Sequence, residues 1–185
     1  MSLYSAENQK IVLLGYMGSG KSAIGKLLAK LSSLPYVDLD DFIVESENMS
    51  IDRIFSQKGE IYFRKKEHHY LLELLNMPGR KIIALGGGTP CYHDNISLLK
   101  TEGVVSIYLK TSIETLVNRL KSESGKRPII KRFSTPEELT EFIAKHLFER
   151  QYYYSQADFI IQTDYKETAE IANEILTLLD RNKTA

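Results

Sequence analysis

Gly15-Tyr16-Met17-Gly18-Ser19-Gly20-Lys21-Ser22 is the stretch from which the rest of this chain can be read. The eight residues fit the pattern G-x-x-x-x-G-K-[ST], and their flanks fit as well. Ile11-Val12-Leu13-Leu14, just before, is a short apolar run of the kind that makes a buried strand. Ser22 to Leu31, just after, sets apolar residues at helical spacing. Strand, glycine-rich turn and helix start are the parts of a phosphate-binding loop, or P-loop. The glycines let successive backbone N–H groups turn inward around phosphate oxygens, and the positive end of the following helix adds to that field. In such a loop Lys21 reaches the β- and γ-phosphates, and the Ser22 hydroxyl sits on Mg²⁺. A glycine turn with no ligand is the plain alternative. With every fixed position matched in the right context, a nucleoside triphosphate site is expected at Gly15, Met17, Gly18, Ser19, Gly20, Lys21, Ser22 and Ala23.

Working outward, Tyr36-Val37-Asp38-Leu39-Asp40 reads as a second short strand ending in carboxylates. Asp41 to Lys58 reads as two short helices jointed at Asn48-Met49-Ser50 and stopped by Gly59, with a longer helix over Glu60 to Asn76. Lys81 to Leu85 is a third buried strand that runs directly into Gly86-Gly87-Gly88. A helical stretch is expected over Asp94 to Thr101, a fourth strand over Val104 to Leu109, and a helix over Ser112 to Lys121. Ser122 to Ser134 is polar, basic and interrupted by Gly125 and Pro128, the composition of a mobile loop. Thr135-Pro136-Glu137-Glu138 starts another helix with a Thr cap and Pro in its first turn. Phe159 to Gln162 is the last strand and Glu167 to Leu179 the closing helix. Five short apolar strands alternating with helices imply an α/β fold, a mainly parallel sheet covered on both faces. Right-handed crossovers then put the ligand crevice at the carboxyl ends of the strands, where the P-loop, Asp38/Asp40 and the triple glycine all fall.

The chain's 185 residues suit a single domain over 1–185. Lys+Arg and Asp+Glu are 24 each, so no overall field draws in nucleic acid or an anionic membrane. The single cysteine, Cys91, forbids an internal disulfide and suits a reducing compartment. No apolar stretch approaches the roughly 18 residues of a membrane span, and the N-terminus has no signal-peptide pattern. A cytoplasmic monomer acting on small molecules is expected. His68-His69 are adjacent and cannot share a helix face, so they do not read as a zinc site. Cys91 reads as a small buried residue, and Tyr152 to Tyr154 as packing.

Two further patterns carry chemistry. Residues two apart in a strand share a face, so Asp38 and Asp40 are expected to project together toward the P-loop, where Mg²⁺ or a substrate hydroxyl would partner them. Phosphoryl transfer wants both a metal-positioning acid and a base for the attacking hydroxyl. In Gly59-Glu60-Ile61-Tyr62-Phe63-Arg64-Lys65-Lys66-Glu67, Arg64 and Glu67 are three apart on one helix face, so Glu67 can hold the guanidinium. An arginine so held is suited to gripping a planar carboxylate through two parallel hydrogen bonds. Gly86-Gly87-Gly88 after a buried strand brings bare backbone N–H groups close to the crevice.

Together these segments resemble the shikimate kinase family. Its succession of a P-loop, D-x-D, G-E-x-x-F-R-x-x-E, G-G-G and a lid R-P-L-L is similar to Gly15–Ser22, Asp38/Asp40, Gly59–Glu67, Gly86–Gly88 and Arg127-Pro128-Ile129-Ile130, in order, over nearly the whole chain. The resemblance implies a P-loop kinase fold with a substrate-binding segment over about 38–76 and a lid over about 122–134. It implies transfer of the γ-phosphate of ATP to the 3-hydroxyl of shikimate, on the route to chorismate and the aromatic amino acids. On that footing Asp38 supports Mg²⁺ through water, and Asp40 contacts the shikimate hydroxyls and acts as base. Arg64 and Arg150 grip the substrate carboxylate, with the amides of Gly86, Gly87 and Gly88 near the ring. Arg127 closes over the phosphates, and Arg119 stands on the adenine side. The chain departs from the family pattern at Ile129-Ile130 in place of Leu-Leu, and at Gln151-Tyr152-Tyr153-Tyr154, where x-Pro-Leu-Tyr is usual. Without that proline the helix bearing Arg150 is expected to run on.

Other classes are weighed by what they require. Another small-molecule P-loop kinase, for gluconate or a nucleoside monophosphate, does not call for the D-x-D and G-E-x-x-F-R-x-x-E segments. A GTPase-type switch needs N-K-x-D, whereas Asn182-Lys183 is followed by Thr184-Ala185. A catalytically silent binding module has no need of Lys21, Asp40 and Arg64 together.

Overall fold

Strand β1 (Lys10–Leu14) is buried along its whole length because it is the middle strand of a five-stranded sheet. The computed structural model describes residues 8–122, 133 and 135–181. Around β1 the chain lays down α1 (Lys21–Ser32), β2 (Tyr36–Asp38), α2 (Leu39–Glu47), α3 (Ile51–Asn76) and β3 (Lys81–Ala84). A short 3-10 turn at Thr89–Cys91 follows, then α4 (Asn95–Leu98), β4 (Val104–Lys110), α5 (Ile113–Ser122), α6 (Pro136–Tyr154), β5 (Phe159–Gln162) and α7 (Thr168–Arg181). All four strand pairings are parallel, in the order β2-β3-β1-β4-β5. The two neighbours of β1 thus come from later, separate parts of the chain. The crevice where the strand order reverses opens directly over the loop that leaves β1.

Alternation along β1 divides the core. Ile11 and Leu13 point to one face and pack with Ile24 and Leu28 of α1 and Ile171, Ile175 and Leu179 of α7. Val12 and Leu14 point to the other, against Leu39 and Ile43 of α2, Leu71 and Leu74 of α3, and the apolar sides of α5 and α6. Both faces are covered, which is why these strands read as unbroken apolar runs.

Local signals set most boundaries. The carboxyl end of α2 is capped by Asn48 in the left-handed region (φ 51°), and Ser50 Oγ accepts from the Arg53 amide to open α3. Gly59, at φ 80° and ψ 169°, breaks the helical path within α3 as the sequence implied. Thr135 and Glu138 form a reciprocal capping box at the start of α6, with Pro136 next in line. Helix α4 is a correction, a single turn over Asn95–Leu98 in place of the longer stretch expected. Asp94 before it is left-handed (φ 57°), and Thr101 after it already belongs to the turn into β4. Helices α2 and α3 are clamped by Glu47, which accepts from Tyr62 Oη (2.6 Å) and Tyr70 Oη (2.7 Å) and pairs with Lys66 (2.8 Å).

Gly25, in the middle of α1, is there for space. A Cβ at this position would lie 2.4 Å from Tyr36 Cε2 and 3.3 Å from Leu13 Cδ1. Alanine gains about 1 kcal/mol over glycine inside a helix, but overpacking a tight contact costs about 1–3 kcal/mol. Gly25→Ala is therefore expected to lower stability, by up to about 2 kcal/mol, against the trend of helix propensity. Denaturant unfolding of the two proteins checks the sign; a more stable variant would mean that Tyr36 moves aside freely.

Candidate active site

The loop between β1 and α1 is shaped by three glycines at positive φ: Gly15 at 148°, Gly18 at 82° and Gly20 at 96°. Gly15 has a second constraint, since a Cβ there would meet the Leu109 carbonyl oxygen of β4 at 2.8 Å and Ser19 Oγ at 2.9 Å. The loop is wedged against the neighbouring strand and can close only with bare backbone. Lys21 Nζ folds back across it, donating to the carbonyls of Gly15 (2.8 Å) and Tyr16 (3.0 Å). Ser19 Oγ is buried without a hydrogen-bond partner among the described residues. A buried hydroxyl in that state costs about 1–3 kcal/mol, which an anion seated in the loop would relieve.

Strand β2 stops two residues earlier than the alternation of Asp38 and Asp40 suggested. Asp38 is the N-cap of α2: its Oδ1 accepts from the Asp40 amide at 3.1 Å, and Asp40 sits in the first helical turn. Aspartate competes well for a cap because its side chain satisfies an otherwise orphan N–H. The two carboxylates still border one cavity, brought there by the cap turn rather than by strand geometry. Asp38 Oδ2 accepts from both Ser22 Oγ (3.1 Å) and Tyr36 Oη (3.1 Å). Burial pushes the Asp40 carboxyl up to about 6, reinforced by the nearby charges of Asp38 and Glu67 and opposed by Lys21.

Beyond β3, the triple glycine is where the charged groups meet. None of the three has a positive φ, so space is what they provide. A Cβ on Gly86 would lie 2.9 Å from Asp40 Oδ1, 3.0 Å from Thr89 Oγ1 and 3.4 Å from Glu67 Oε1. On Gly88 it would meet the Arg64 guanidinium at 3.0 Å, and on Gly87 the Met17 amide nitrogen at 3.2 Å, with Arg150 Nη1 at 3.7 Å. Arg64 Nη1 pairs with Glu67 Oε2 at 2.8 Å, and its guanidinium lies 3.9 Å from the centre of the Tyr92 ring. Glu67 is only 1% exposed, and its other oxygen accepts from Thr89 Oγ1 at 2.6 Å. Arg150 Nη1 donates to the Gly87 carbonyl at 3.4 Å, an oxygen shared with Tyr154 Oη, and its guanidinium lies 5.4 Å from the centre of the Tyr16 ring. Helix α6 does run on past Arg150, through Tyr154. Cys91 is half-buried rather than buried, and burial pushes its thiol up to about 11, with Arg150 and Arg64 pulling the other way.

A cavity of about 670 Å³ joins the P-loop, Asp38, Asp40, Gly86 and Gly87 to Arg119, whose Nη1 donates to the Gly18 carbonyl at 3.3 Å. Arg150 adjoins Gly87 of its wall, and Arg64 adjoins the next residue, Gly88. Its far wall is Lys166, Glu167, Thr168 and Ile171, at the entrance of α7. Sequence reasoning did not flag these residues, although they follow a strand's carboxyl end, where crevice residues are to be sought. Thr89, which fixes Glu67, was also missed, since no motif marks a lone threonine after glycines. Residues 123–132 of the expected lid, Arg127 among them, and residue 134 lie outside the described residues.

Comparison with known proteins gives a consistent pattern. A family model described as shikimate kinase matches residues 17–180. A shikimate kinase of Flavobacterium johnsoniae is 51% identical over 171 residues, covering 92% of this chain and 99% of that protein. The crystal structure of the Bacteroides thetaiotaomicron shikimate kinase matches with a TM-score of 0.86 at 30% identity, covering 95% of this chain and 99% of that one. That of Acinetobacter baumannii shikimate kinase in complex with shikimate matches with a TM-score of 0.83 at 30% identity, covering 96% of each chain.

The raised Asp40 value has a thermodynamic consequence. Ionised Asp40 opposes folding above a pH of about 6, and the penalty is gone below about 4, where the group is neutral in both states. In the ligand- and metal-free protein, Asp40→Asn is expected to gain on the order of 2 kcal/mol at pH 8. That gain should fade as the pH falls toward 4. Denaturant titrations at the two ends of that range test this; an equal gain at both would show that the charge is not the cause.

Proposed function

The chain belongs to the shikimate kinase family, and from that membership we propose how its residues pass the γ-phosphate of ATP to the 3-hydroxyl of shikimate, giving shikimate 3-phosphate and ADP. The reaction serves the route to chorismate and the aromatic amino acids. One observation supports the assignment above the others: Asp40 stands close to both Lys21 and the Arg64–Glu67 pair, with Gly86 leaving the space that brings it beside Glu67. A base is thereby set where a phosphate donor and a carboxylate-bearing acceptor would meet.

In this reading the amides of Gly15 and Met17 to Ala23 wrap the ATP phosphates, and the Lys21 ammonium turns from the loop carbonyls to the β- and γ-oxygens. Arg119, beside Gly18 at the rim, takes the adenine side together with Lys166 to Thr168. Ser22 Oγ and Asp38, in contact with each other, suit a Mg²⁺ that takes most of its ligands from phosphate and water, Asp38 reaching it through water. Bound there, the ion neutralises charge on the β- and γ-oxygens. No group of three or more His, Cys, Asp or Glu stands ready to hold a metal unaided among the described residues, which fits a cation that arrives with its nucleotide.

On the acceptor side, Arg64 and Arg150 take the shikimate carboxylate, and the amides of Gly86 to Gly88 lie against the ring. Glu67 holds Arg64 to one orientation, so its fork is already aimed when the substrate arrives. Asp40 accepts the proton of the 3-hydroxyl as that oxygen forms its bond to the γ-phosphorus. The bond from the γ-phosphorus to the bridging oxygen breaks, and ADP leaves with the electron pair. A carboxylate raised toward neutrality accepts a proton more readily than an exposed one. Arg127, on the lid we assign to about 122–134, supplies charge over the phosphates in the closed state. We take the enzyme to be one domain over 1–185, with its acceptor segment at about 38–76, acting as a cytoplasmic monomer without nucleic-acid or membrane partners. No helix among the described residues is long and apolar enough to cross a membrane.

A coupled assay of ADP release, with and without shikimate, tests the reading. Release independent of shikimate, or supported equally by gluconate, would refute it. Arg64→Lys keeps the charge but loses the fork, so the shikimate KM should rise at least about tenfold while the ATP KM stays near the parent value. Comparable damage to both constants would assign Arg64 to the nucleotide or to structure. Asp40→Asn should lower kcat by roughly 10²–10⁴. An unchanged kcat with weaker shikimate binding would reduce Asp40 to an orienting group.

A further inference from the structure

Tyr36 has no part in the chemistry above, yet its hydroxyl shares an acceptor with Ser22. Tyr36 Oη and Ser22 Oγ each donate to Asp38 Oδ2 at 3.1 Å, while the Asp40 amide donates to Asp38 Oδ1 at 3.1 Å. Three donors on one carboxylate leave it little freedom to rotate. Two periodicities bring these groups together. Tyr36 and Asp38, two apart in β2, share a face of the strand, and Ser22 and Gly25, three apart in α1, share a face of the helix. The Tyr36 ring lies in the space that Gly25 leaves open, within 2.4 Å of where a Cβ would stand. The missing side chain on α1 therefore sets how far the phenol reaches along the strand, and it reaches Asp38.

We propose that Tyr36 is a positioning residue for the metal side of this kinase, its hydroxyl holding the Asp38 carboxylate in the orientation in which, with Ser22, it receives magnesium and its water. The inference rests on the assignment of Asp38 to the metal. Ser22 Oγ turns a lone pair to the cation when the nucleotide is bound, and Tyr36 is then the side-chain donor that keeps Asp38 from swinging into the cavity. Outer-shell hydrogen bonds of this sort change metal affinity by about 10–100-fold when removed. The competing account is that Tyr36 simply fills the space over Gly25, in which case its ring matters and its oxygen does not.

Tyr36→Phe separates the two, since it keeps the ring on Gly25 and removes only the oxygen. The probe is Mn²⁺, followed by its paramagnetic resonance in the presence of ADP and without turnover, for the parent, Tyr36→Phe, Asp38→Asn and the double variant. Tyr36→Phe should weaken Mn²⁺ binding in the ADP complex by about tenfold and raise the Mg²⁺ concentration for half-maximal rate by a similar factor. Because Tyr36 acts through Asp38, the double variant should bind Mn²⁺ no more weakly than Asp38→Asn alone. Gly25→Ala, which displaces the ring but keeps the hydroxyl, should reproduce the metal defect below its melting temperature. Parent-like Mn²⁺ binding by Tyr36→Phe, or losses that add in the double variant, would overturn the proposal while leaving Asp38's role intact. Parent-like binding by Asp38→Asn would remove both.

Discussion

Two carboxylates and two guanidinium groups press against a backbone segment that has no side chains. The whole of the acceptor side proposed for this chain depends on that contact. Asp40 and Glu67 lie over Gly86, Arg150 stands near Gly87, and Arg64 lies over Gly88. A single methyl group on Gly86 would have to occupy space within about 3 Å of a carboxylate oxygen. The alternating charges are held close enough to compensate one another only because the strand behind them ends in bare backbone. Removing charges from water is costly, and a pair such as Arg64–Glu67 is tolerated inside with the help of Thr89, whose hydroxyl donates to the second Glu67 oxygen.

The same crowding explains why Asp40 is poised as it is. Its burial and the neighbouring acids make ionisation unfavourable, which weakens the fold at neutral pH and makes the group a better proton acceptor. With Asp40 as the proposed base, stability and function oppose each other at one residue. The compensation lies in the sheet and its two covered faces, and in the Glu47 clamp that keeps α2 and α3 from separating under that strain.

A P-loop on a parallel sheet places phosphates and little else, and kinases built on that plan differ in what stands opposite. In this chain the opposite side is assembled from β2, α3, β3 and α6. Residues 38, 64, 86–88 and 150 are distant in sequence; Asp38 borders the same cavity as Gly86 and Gly87, while Arg64 packs against Gly88 and Arg150 against Gly87. A solved shikimate kinase structure in complex with shikimate shares this fold over nearly the full length.

Much of this was legible in the residues themselves. The strand–glycine–helix signature, five apolar runs, the Gly59 break and the Thr135 cap are local features. Each depends on backbone conformation within a few residues, so the sequence by itself determined the element order and the P-loop. Arg64 and Glu67 were equally legible, because helical spacing is a local rule. What only the tertiary structure decided lies between elements. Asp38 ended its strand because capping α2 satisfies an orphan amide, which outweighs continuing a short edge strand with few partners. The demand for glycine at 25 and 86–88 comes largely from groups on other elements, and the entrance of α7 became a cavity wall only once β5 took its place beside β4. Spacing along a chain records what neighbours can do. Which distant surfaces must share a volume is settled by packing, and packing is a property of the folded whole.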